Sequence, residues 1–378
     1  SYHSLAFFYA YITKLLGFTP LRHEGKILGL SAAGNPNEVE KILRNYIRFN
    51  KDNLKFENTS GYYLKVYKKL KKNLKNFSRE DIAAGIQIHS ENLTLEYIKS
   101  IINKFSPSKK INLFLAGGIF ANIKINQKIA ELDEVKSCFV FPNMGDGGLS
   151  AGGALGVYFE ENSDGIKKKH DMYLGSGNKQ VLKKNLTNSK FSLIEPENKY
   201  KFIANKLNEN KIIAIFKDKM EYGPRALGNR SIICSPKNIK INEILNLKLK
   251  RSDFMPFAPC VLSEDFNTYF ESKLKVEDFN YMTFTCKTKN ICSKKTPAIV
   301  HIDGTARPQT VFKDKNEFLF EILKAFKNET GIGMLINTSF NVHEEPIVES
   351  YEDAIKASYE SDLDYLILDN AILEIKKN

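Results

Sequence analysis

The sequence predicts an α/β protein of two domains, on three observations. Its 378 residues exceed what one ordinary core holds and leave each of two domains enough chain to bury a substantial interior. Two segments of the first half, "INLFLAGGIFANIKIN" and "SCFVFPNMGDGGLSAGGALGVYF", repeat one plan of apolar strand, glycine turn and helix, the mark of α/β units with a parallel component. The second half alternates short apolar runs with amphipathic stretches.

Taken in order, residues 1–18 read as a buried helix. His3, Lys14 and the lack of a small-residue cleavage site separate that segment from a signal peptide. "TPLRHEGK" reads as a loop and "ILGLSAAGNP" as a small-residue segment ending in a turn. Residues 37–110 carry helical patterns around a polar insert near "NKDNLKFENTSGYY". The two strand–glycine–helix units follow. Residues 160–175, "EENSDGIKKKHDMYLG", are polar and unpatterned, and the domain boundary is expected there, giving domains of 1–165 and 172–378. Beyond it come a helix at 197–208, a strand "KIIAIF", the apolar segment "PFAPCVL", a strand "TPAIVHIDG", a helix at 316–329, a strand "GMLINTS" and a closing helix and strand.

Composition narrows the function classes. No segment reaches the length of a membrane span, so no membrane partner is expected. The five cysteines contain no CxxC pair and suggest neither a disulfide framework nor a zinc knuckle, which fits a reducing cytoplasm. The net charge of +12 comes from lysines scattered on amphipathic patterns such as "YYLKVYKKLKKNLKNF", as on a solvated face, and no nucleic-acid partner is expected. Arginine is different. There are eight, and Arg225, Arg230, Arg251 and Arg307 lie in or beside Gly, Pro and Ser motifs, where a bidentate anion ligand is wanted.

Candidate sites follow from these motifs. Gly117 and Gly118 leave a strand where absent Cβ atoms let backbone amides approach a ligand at a helix N-terminus. Asn122 and Asn126, four apart, are expected on one face of that helix, able to bind a ribose or phosphate. Asp146, flanked by Gly145, Gly147 and Gly148, sits at a strand mouth where a carboxylate holds a metal or orients a hydroxyl, or caps the helix near Leu149. In the second half, Arg225 and Arg230 around Gly223, Pro224 and Gly228, with Lys250, Arg307 and the strand-end groups Asn337, Ser339 and Asn341, form a kit for phosphate oxygens. The competing reading has the arginines tied by salt bridges to Glu221, Asp253 or Glu345. His301 and Asp303 are expected to share a strand face as a base and its orienting carboxylate. Neither HExxH nor GxxxxGK[ST] is present.

"MEYGPRALGNRSI", "KLKRSDFMPFAPCVL", "PAIVHIDGTARPQTV" and "LINTSFNVHEEPIVES", in that order, resemble the C-terminal domain of the carbamoyltransferases that modify nodulation factors, cephalosporins and aminoglycosides. "HEGKILGLSAAG", "LAGGIFANIKIN" and "FPNMGDGGLSAGGAL" resemble the second part of that family's N-terminal domain. The resemblance implies part of a Kae1-like (ASKHA) carbamoyl-transfer domain, lacking its N-terminal part, followed by a YrdC-like domain that makes carbamoyl adenylate from carbamoyl phosphate and ATP. It implies that Arg225, Lys250, Arg307 and Ser339 grip carbamoyl phosphate and the ATP phosphates. Gly117, Gly118 and Asn122 would hold the adenylate, and Asp146 would ligate a divalent metal, iron or magnesium. Read from the residues themselves, Asn126, Asn337 and Asn341 join the nucleotide-binding groups, and Gly223 and Pro224 turn Arg225 inward, leaving Arg230 as a structural brace or an added ligand. The family's HxxxH metal pattern does not occur here. The implied acceptor is a hydroxyl of a small sugar-containing metabolite or glycan, and a homodimer is admitted. Two alternatives stand beside this reading: a threonylcarbamoyl-adenylate enzyme acting on tRNA, and a non-catalytic nucleotide-binding module.

Overall fold

A computed structural model describes residues 3–162, 172–175, 177, 190–250, 257–342 and 344–376. Arg251, Asp253 and most of the expected boundary segment lie outside these residues. The chain is α/β and divides into two compact units, Ser1–Asp146 and Gly147–Asn378.

The first unit is built on the long helix Arg79–Phe105. It starts where Ser78 Oγ accepts the Asp81 amide at 3.0 Å, satisfying one of the amides a helix start leaves open. Its inward face meets Phe8 and Ile12 of the helix Leu5–Leu15, Ile27, Leu43 and Val66 in one apolar cluster. The chain expected as loop and small-residue turn holds a helix, Glu24–Leu30; Ile27, fully buried, anchors it. The polar insert is a hairpin of β1 (Ile47–Asn50) and β2 (Lys55–Asn58). Alternate inward residues Ile47 and Phe49 supply its apolar face, a two-residue period that the polar turn hides in the sequence. The predicted strands β3 (Ile111–Leu115) and β4 (Val135–Val140) pair in parallel. Phe114 and Phe139 stand exposed on one face of this pair, their ring centroids 6.3 Å apart.

The second unit opens with the helix Leu149–Glu161, none of whose residues is buried. Its strands, in chain order, are β5 (Phe191–Ile194), β6 (Ile213–Phe216), β7 (Arg230–Cys234), β8 (Ala258–Leu262), β9 (Phe270–Glu271), β10 (Cys286–Thr288), β11 (Thr305–Ala306), β12 (Gln309–Val311), β13 (Met334–Ser339), β14 (Tyr365–Leu368) and β15 (Ala371–Ile375). Eight of them form a mixed sheet in the order β12-β8-β13-β7-β6-β14-β15-β5, and β11-β10-β9 form a small antiparallel one. Strands β6, β7, β8 and β14 are buried along their whole length. That explains the continuous rather than alternating apolar sequence of β6, β8 and β14. The helix Glu317–Thr330 ends at Gly331, whose φ of 73° is the left-handed turn glycine permits.

The expected strand "TPAIVHIDG" is absent. Pro297, with no N–H to donate, starts a short 3₁₀ turn, Pro297–Ile299, and His301 and Gly304 close a second turn through the bonds His301 N to Thr305 O and Gly304 N to His301 O, both 2.9 Å.

Candidate functional site

The sheet register of the second unit gathers the sequence motifs at one end. Phe216 at the end of β6 lies opposite Arg230 at the start of β7, and Ser339 at the end of β13 lies opposite Ser231. Ala258 at the start of β8 lies opposite Asn337, and Gln309 opens β12 beside Cys260. The loops that carry Arg225 and Arg307, and the turn after Ser339, therefore leave the sheet at the same end. Phe340 N donates to Arg230 O at 3.0 Å and joins the turn to the loop.

The turn 226–230 of the loop 221–231 is held by side chains at most of its peptide groups. Glu221 Oε1 accepts the amides of Leu227 and Asn229, each at 2.7 Å, and of Arg230 at 3.2 Å. Ser231 Oγ accepts the Gly228 amide at 2.9 Å. On the carbonyl side, Asn337 Nδ2 donates to Ala226 O at 3.2 Å, while Gln309 Nε2 and Tyr173 OH donate to Leu227 O at 2.8 and 2.9 Å. Asn316 Nδ2 reaches both Tyr173 OH and Asn229 Oδ1 at 3.1 Å. Gly228 has φ 117°, and a Cβ there would meet Asn316 Nδ2 and Leu319 Cδ2 at 2.8 Å; no other residue fits that turn. Leu227 and Gln309 also line a small pocket with Met172, Tyr173, Tyr281 and Asn316.

Within this frame the two arginines part company. Arg230 is 1% exposed. Its Nη1 donates to Lys217 O and Asn229 O at 2.9 and 3.0 Å, its Nη2 to Asp218 O at 3.1 Å, and its guanidinium lies 3.5 Å from the Phe216 ring centroid. Burial lowers its pKa, with Glu221, Asp369 and Asp218 opposing. Arg230 is thus not free to hold a cofactor: three carbonyls and a ring already occupy its planar fork. Arg225 retains some surface; its Nε, like that of Arg230, has none and no hydrogen-bond partner among the described residues, and no described carbonyl holds the rest of its guanidinium. Burial alone pulls its pKa down to about 10.

The other predicted residues fall out as follows. Ser339 Oγ donates to Asn341 Oδ1 at 2.7 Å, and Asn341 Nδ2 donates to Val342 O and Glu345 O, so Asn341 braces the turn that presents Ser339. Asn337 is buried, and its Nδ2 also reaches Gln309 Oε1 at 2.7 Å, a supporting rather than a ligand-facing position. Arg307 is partly buried between β11 and β12. Lys250 is exposed at a φ of 54°. Lys248, two residues earlier, bonds the carboxylate and carbonyl of Asp362, beyond the opposite end of β6. The described residues do not bring Lys250 to the arginine loop. His301 and Asp303 do meet, Nδ1 to Oδ1 at 3.1 Å, but across a turn. Asp303 Oδ1 also takes the Thr305 amide and hydroxyl, which fits a turn brace better than a catalytic pair. Glu221, read from sequence as a salt-bridge partner, serves instead as an acceptor for backbone amides. Glu345 pairs with Lys356 at 3.9 Å.

In the first unit, both glycine turns follow the carboxyl ends of a parallel strand pair, the usual ligand edge of such sheets. Gly117 N donates to Met144 O at 2.6 Å and ties them together; Gly117 has φ 122°, and Gly118 has open space around a built Cβ. Asn122 is not on the helix but caps it, Oδ1 accepting Ile125 N at 3.2 Å. It also exchanges bonds with Gln87, itself bonded to Tyr9 and Glu91. Asn126 is 0% exposed and donates to Phe120 O at 2.7 Å. The expected shared ligand face of the two asparagines is therefore corrected: burial removes Asn126 from any ligand. Asp146 begins a 3₁₀ turn, Asp146–Gly148, and is exposed; the helix cap is Gly148. Among the described residues no group of three or more His, Cys, Asp or Glu could hold a metal ion, so Asp146 alone does not make a metal site and no step below runs through one.

Both halves of the chain match known family models: "Carbamoyltransferase N-terminus" over residues 1–155 and "Carbamoyltransferase C-terminus" over residues 204–375. The chain belongs to the carbamoyltransferase family.

Among carbamoyltransferase relatives, MJ1058 of Methanocaldococcus jannaschii is 34% identical over 99% of this chain and 62% of its own length. The protein sll1178 of Synechocystis is 31% identical over 98% of this chain and 67% of its own length, and the nodulation protein NolO of Bradyrhizobium diazoefficiens is 28% identical over 97% and 68%. The chain thus spans about three fifths to two thirds of these relatives. A solved structure of full-length HypF in a phosphate- and nucleotide-bound form is similar to 48% of this chain and 22% of its own, at 21% identity and a TM-score of 0.35. For this carbamoyltransferase chain, sequence reasoning missed Glu221, Gln309, Asn316 and Tyr173. The one available signal was a carboxylate at the foot of a loop too rich in glycine to hold itself.

Proposed function

We propose that this chain carries the activating portion, and part of the transferring portion, of an ATP-dependent O-carbamoyltransferase. The observation that supports it most is Arg225: a desolvated guanidinium that no described carbonyl or carboxylate holds, presented just before the braced turn 227–230 at the sheet end from which the Arg307 and Ser339 segments also emerge. Such a group awaits an anion, because a desolvated cation gains most from a charge-assisted partner.

In this reading the Gly147–Asn378 unit contains a YrdC-like domain. Carbamoyl phosphate loses inorganic phosphate to water; the carbamate oxygen then attacks the α-phosphorus of ATP, pyrophosphate leaves, and carbamoyl adenylate results. Arg225, Arg307 and Ser339 would bind phosphate oxygens, with Lys250 as a further ligand. The Ser1–Asp146 unit would be part of a Kae1-like (ASKHA) domain. The bare face of the parallel β3–β4 pair supports that, since parallel sheets are ordinarily covered on both faces. Gly117, Gly118 and Asn122 would hold the adenylate while a hydroxyl of a sugar-containing metabolite or glycan attacks the carbamoyl carbon and AMP leaves. Asp146 would contribute to a metal site completed by residues other than those described. The buried, free cysteines are in keeping with a cytoplasmic setting.

The test is isotope exchange. Carbamoyl-phosphate-dependent exchange of label between pyrophosphate and ATP is expected from the wild-type chain and is expected to fall by about a hundredfold or more in Arg225→Ala, the scale seen when one donor to developing charge is removed. Undiminished exchange in that variant overturns the reading.

A further inference from the structure

Glu221 is 4% exposed, and the reaction proposed above gives it no part. One of its oxygens accepts three backbone amides, those of Leu227, Asn229 and Arg230; the other is buried with no hydrogen-bond partner. Amides that curl about one point ordinarily make a nest for a bound anion. Here the chain's own carboxylate fills that nest from six to nine residues upstream. Two consequences follow. The segment 227–230 is wound around a fixed centre, so the residue just before it, across Ala226, leaves in a fixed direction. And the carboxylate nearest in sequence to Arg225 is occupied by backbone amides, while burial lowers the pKa of the Arg225 guanidinium with no described carboxylate opposing it.

We propose that Glu221 is a positioning residue for anion binding: it sets the direction of Arg225 and, by taking the loop amides itself, keeps that guanidinium unpaired for the ligand. The proposal rests on Arg225 being an anion ligand. An alternative purely structural role, bracing the loop against unfolding, would lower stability without linking Glu221 to Arg225 in binding.

The two are separated by a double-mutant cycle on the full chain, with inorganic phosphate as the probe and calorimetry as the readout. Glu221→Gln keeps an acceptor oxygen but loses the charge and puts an amide donor where the unpaired oxygen stood. It is expected to weaken phosphate binding by about tenfold, a common size for coupling between linked residues. In an Arg225→Ala background the same change is expected to do nothing further. Equal losses in both backgrounds, or wild-type affinity in Glu221→Gln, overturn the proposal. If Arg225→Ala itself leaves phosphate affinity unchanged, it is the anion-site reading that fails, and this proposal with it. Should Glu221→Gln not fold, Ser231→Ala serves instead, because it frees the Gly228 amide of the same turn. A severalfold loss confined to the Arg225 background supports the proposal, and unchanged affinity in the folded Ser231→Ala variant overturns it.

Discussion

Arg225 and Arg230 stand five residues apart in one loop and meet opposite surroundings. Arg230 is enclosed by three carbonyls and the Phe216 ring. The Nε of each is buried without a partner, but among the described residues no carbonyl holds the rest of the Arg225 guanidinium. The difference teaches that spacing in a motif does not assign roles. What assigns them is whether the backbone that folds around each guanidinium turns its carbonyls toward it or away.

The sharpest way to break the contrast is to compare Arg230→Ala with Arg225→Ala in denaturant unfolding. Losing Arg230 takes the side-chain donor from the part-buried carbonyls of Lys217 and Asp218 and vacates the ring face, and a cost of about 2–3 kcal/mol is expected. Losing Arg225 is expected to shift stability by less than about 1 kcal/mol in either direction, since the loss of packing is offset by relief of a desolvated charge. Equal losses would mean that both arginines are braces. A smaller effect sharpens the same point: Phe216→Leu removes the ring under Arg230 and part of its packing, and about 2 kcal/mol of stability is expected to go, with phosphate affinity unchanged.

The smallest effect at neutral pH lies in the first unit, where a different desolvated cation has a choice that arginine lacks. His89 is buried, its Nε2 is 3.0 Å from Ile47 O, and its Nδ1 is 3.5 Å from Glu40 Oε1, which Arg44 Nε already holds at 2.8 Å. Burial lowers the His89 pKa despite Ile47 and Glu40 favouring the cation, so the ring stays neutral in the folded state. Because the unfolded chain binds that proton more readily, stability is complete above the unfolded value of about 6.5 and falls as pH drops below it. Thermal melts between pH 7 and pH 5, above the carboxylate range, are expected to show this decline, and His89→Gln, which keeps a donor for Ile47 O, is expected to flatten it.

Much of this was legible in sequence, and the reason is locality. The β3 and β4 units announce themselves because each puts an apolar run, a glycine turn and a helix within a few residues. The loop 221–231 is visible because Gly223, with φ 132°, and Gly228 mark turns only glycine makes easily. The hairpin Ile47–Asn58 and the helix Glu24–Leu30 were not legible, since each carries few apolar residues and gets its order from the helix Arg79–Phe105 and its cluster. In the site, Arg230 as a brace was legible, its partners Lys217 and Asp218 lying only 13 and 12 residues upstream. That Asn337 supports rather than binds depends on Ala226, 111 residues away, and no short window of sequence contains that pair.

That remoteness has a kinetic side. The carbonyls and amides of the loop are fastened by Tyr173, Gln309 and Asn337, at separations of 54, 82 and 111 residues, and Asn316 reaches Tyr173 across 143. Contacts that close such long stretches of chain form only after most of the sheet has come together. The loop is therefore among the last parts of the second unit to take shape during folding, and mutations there should speed unfolding while leaving the folding rate nearly untouched. The turn that presents Arg225 is thus one that the chain closes only through partners far away in sequence.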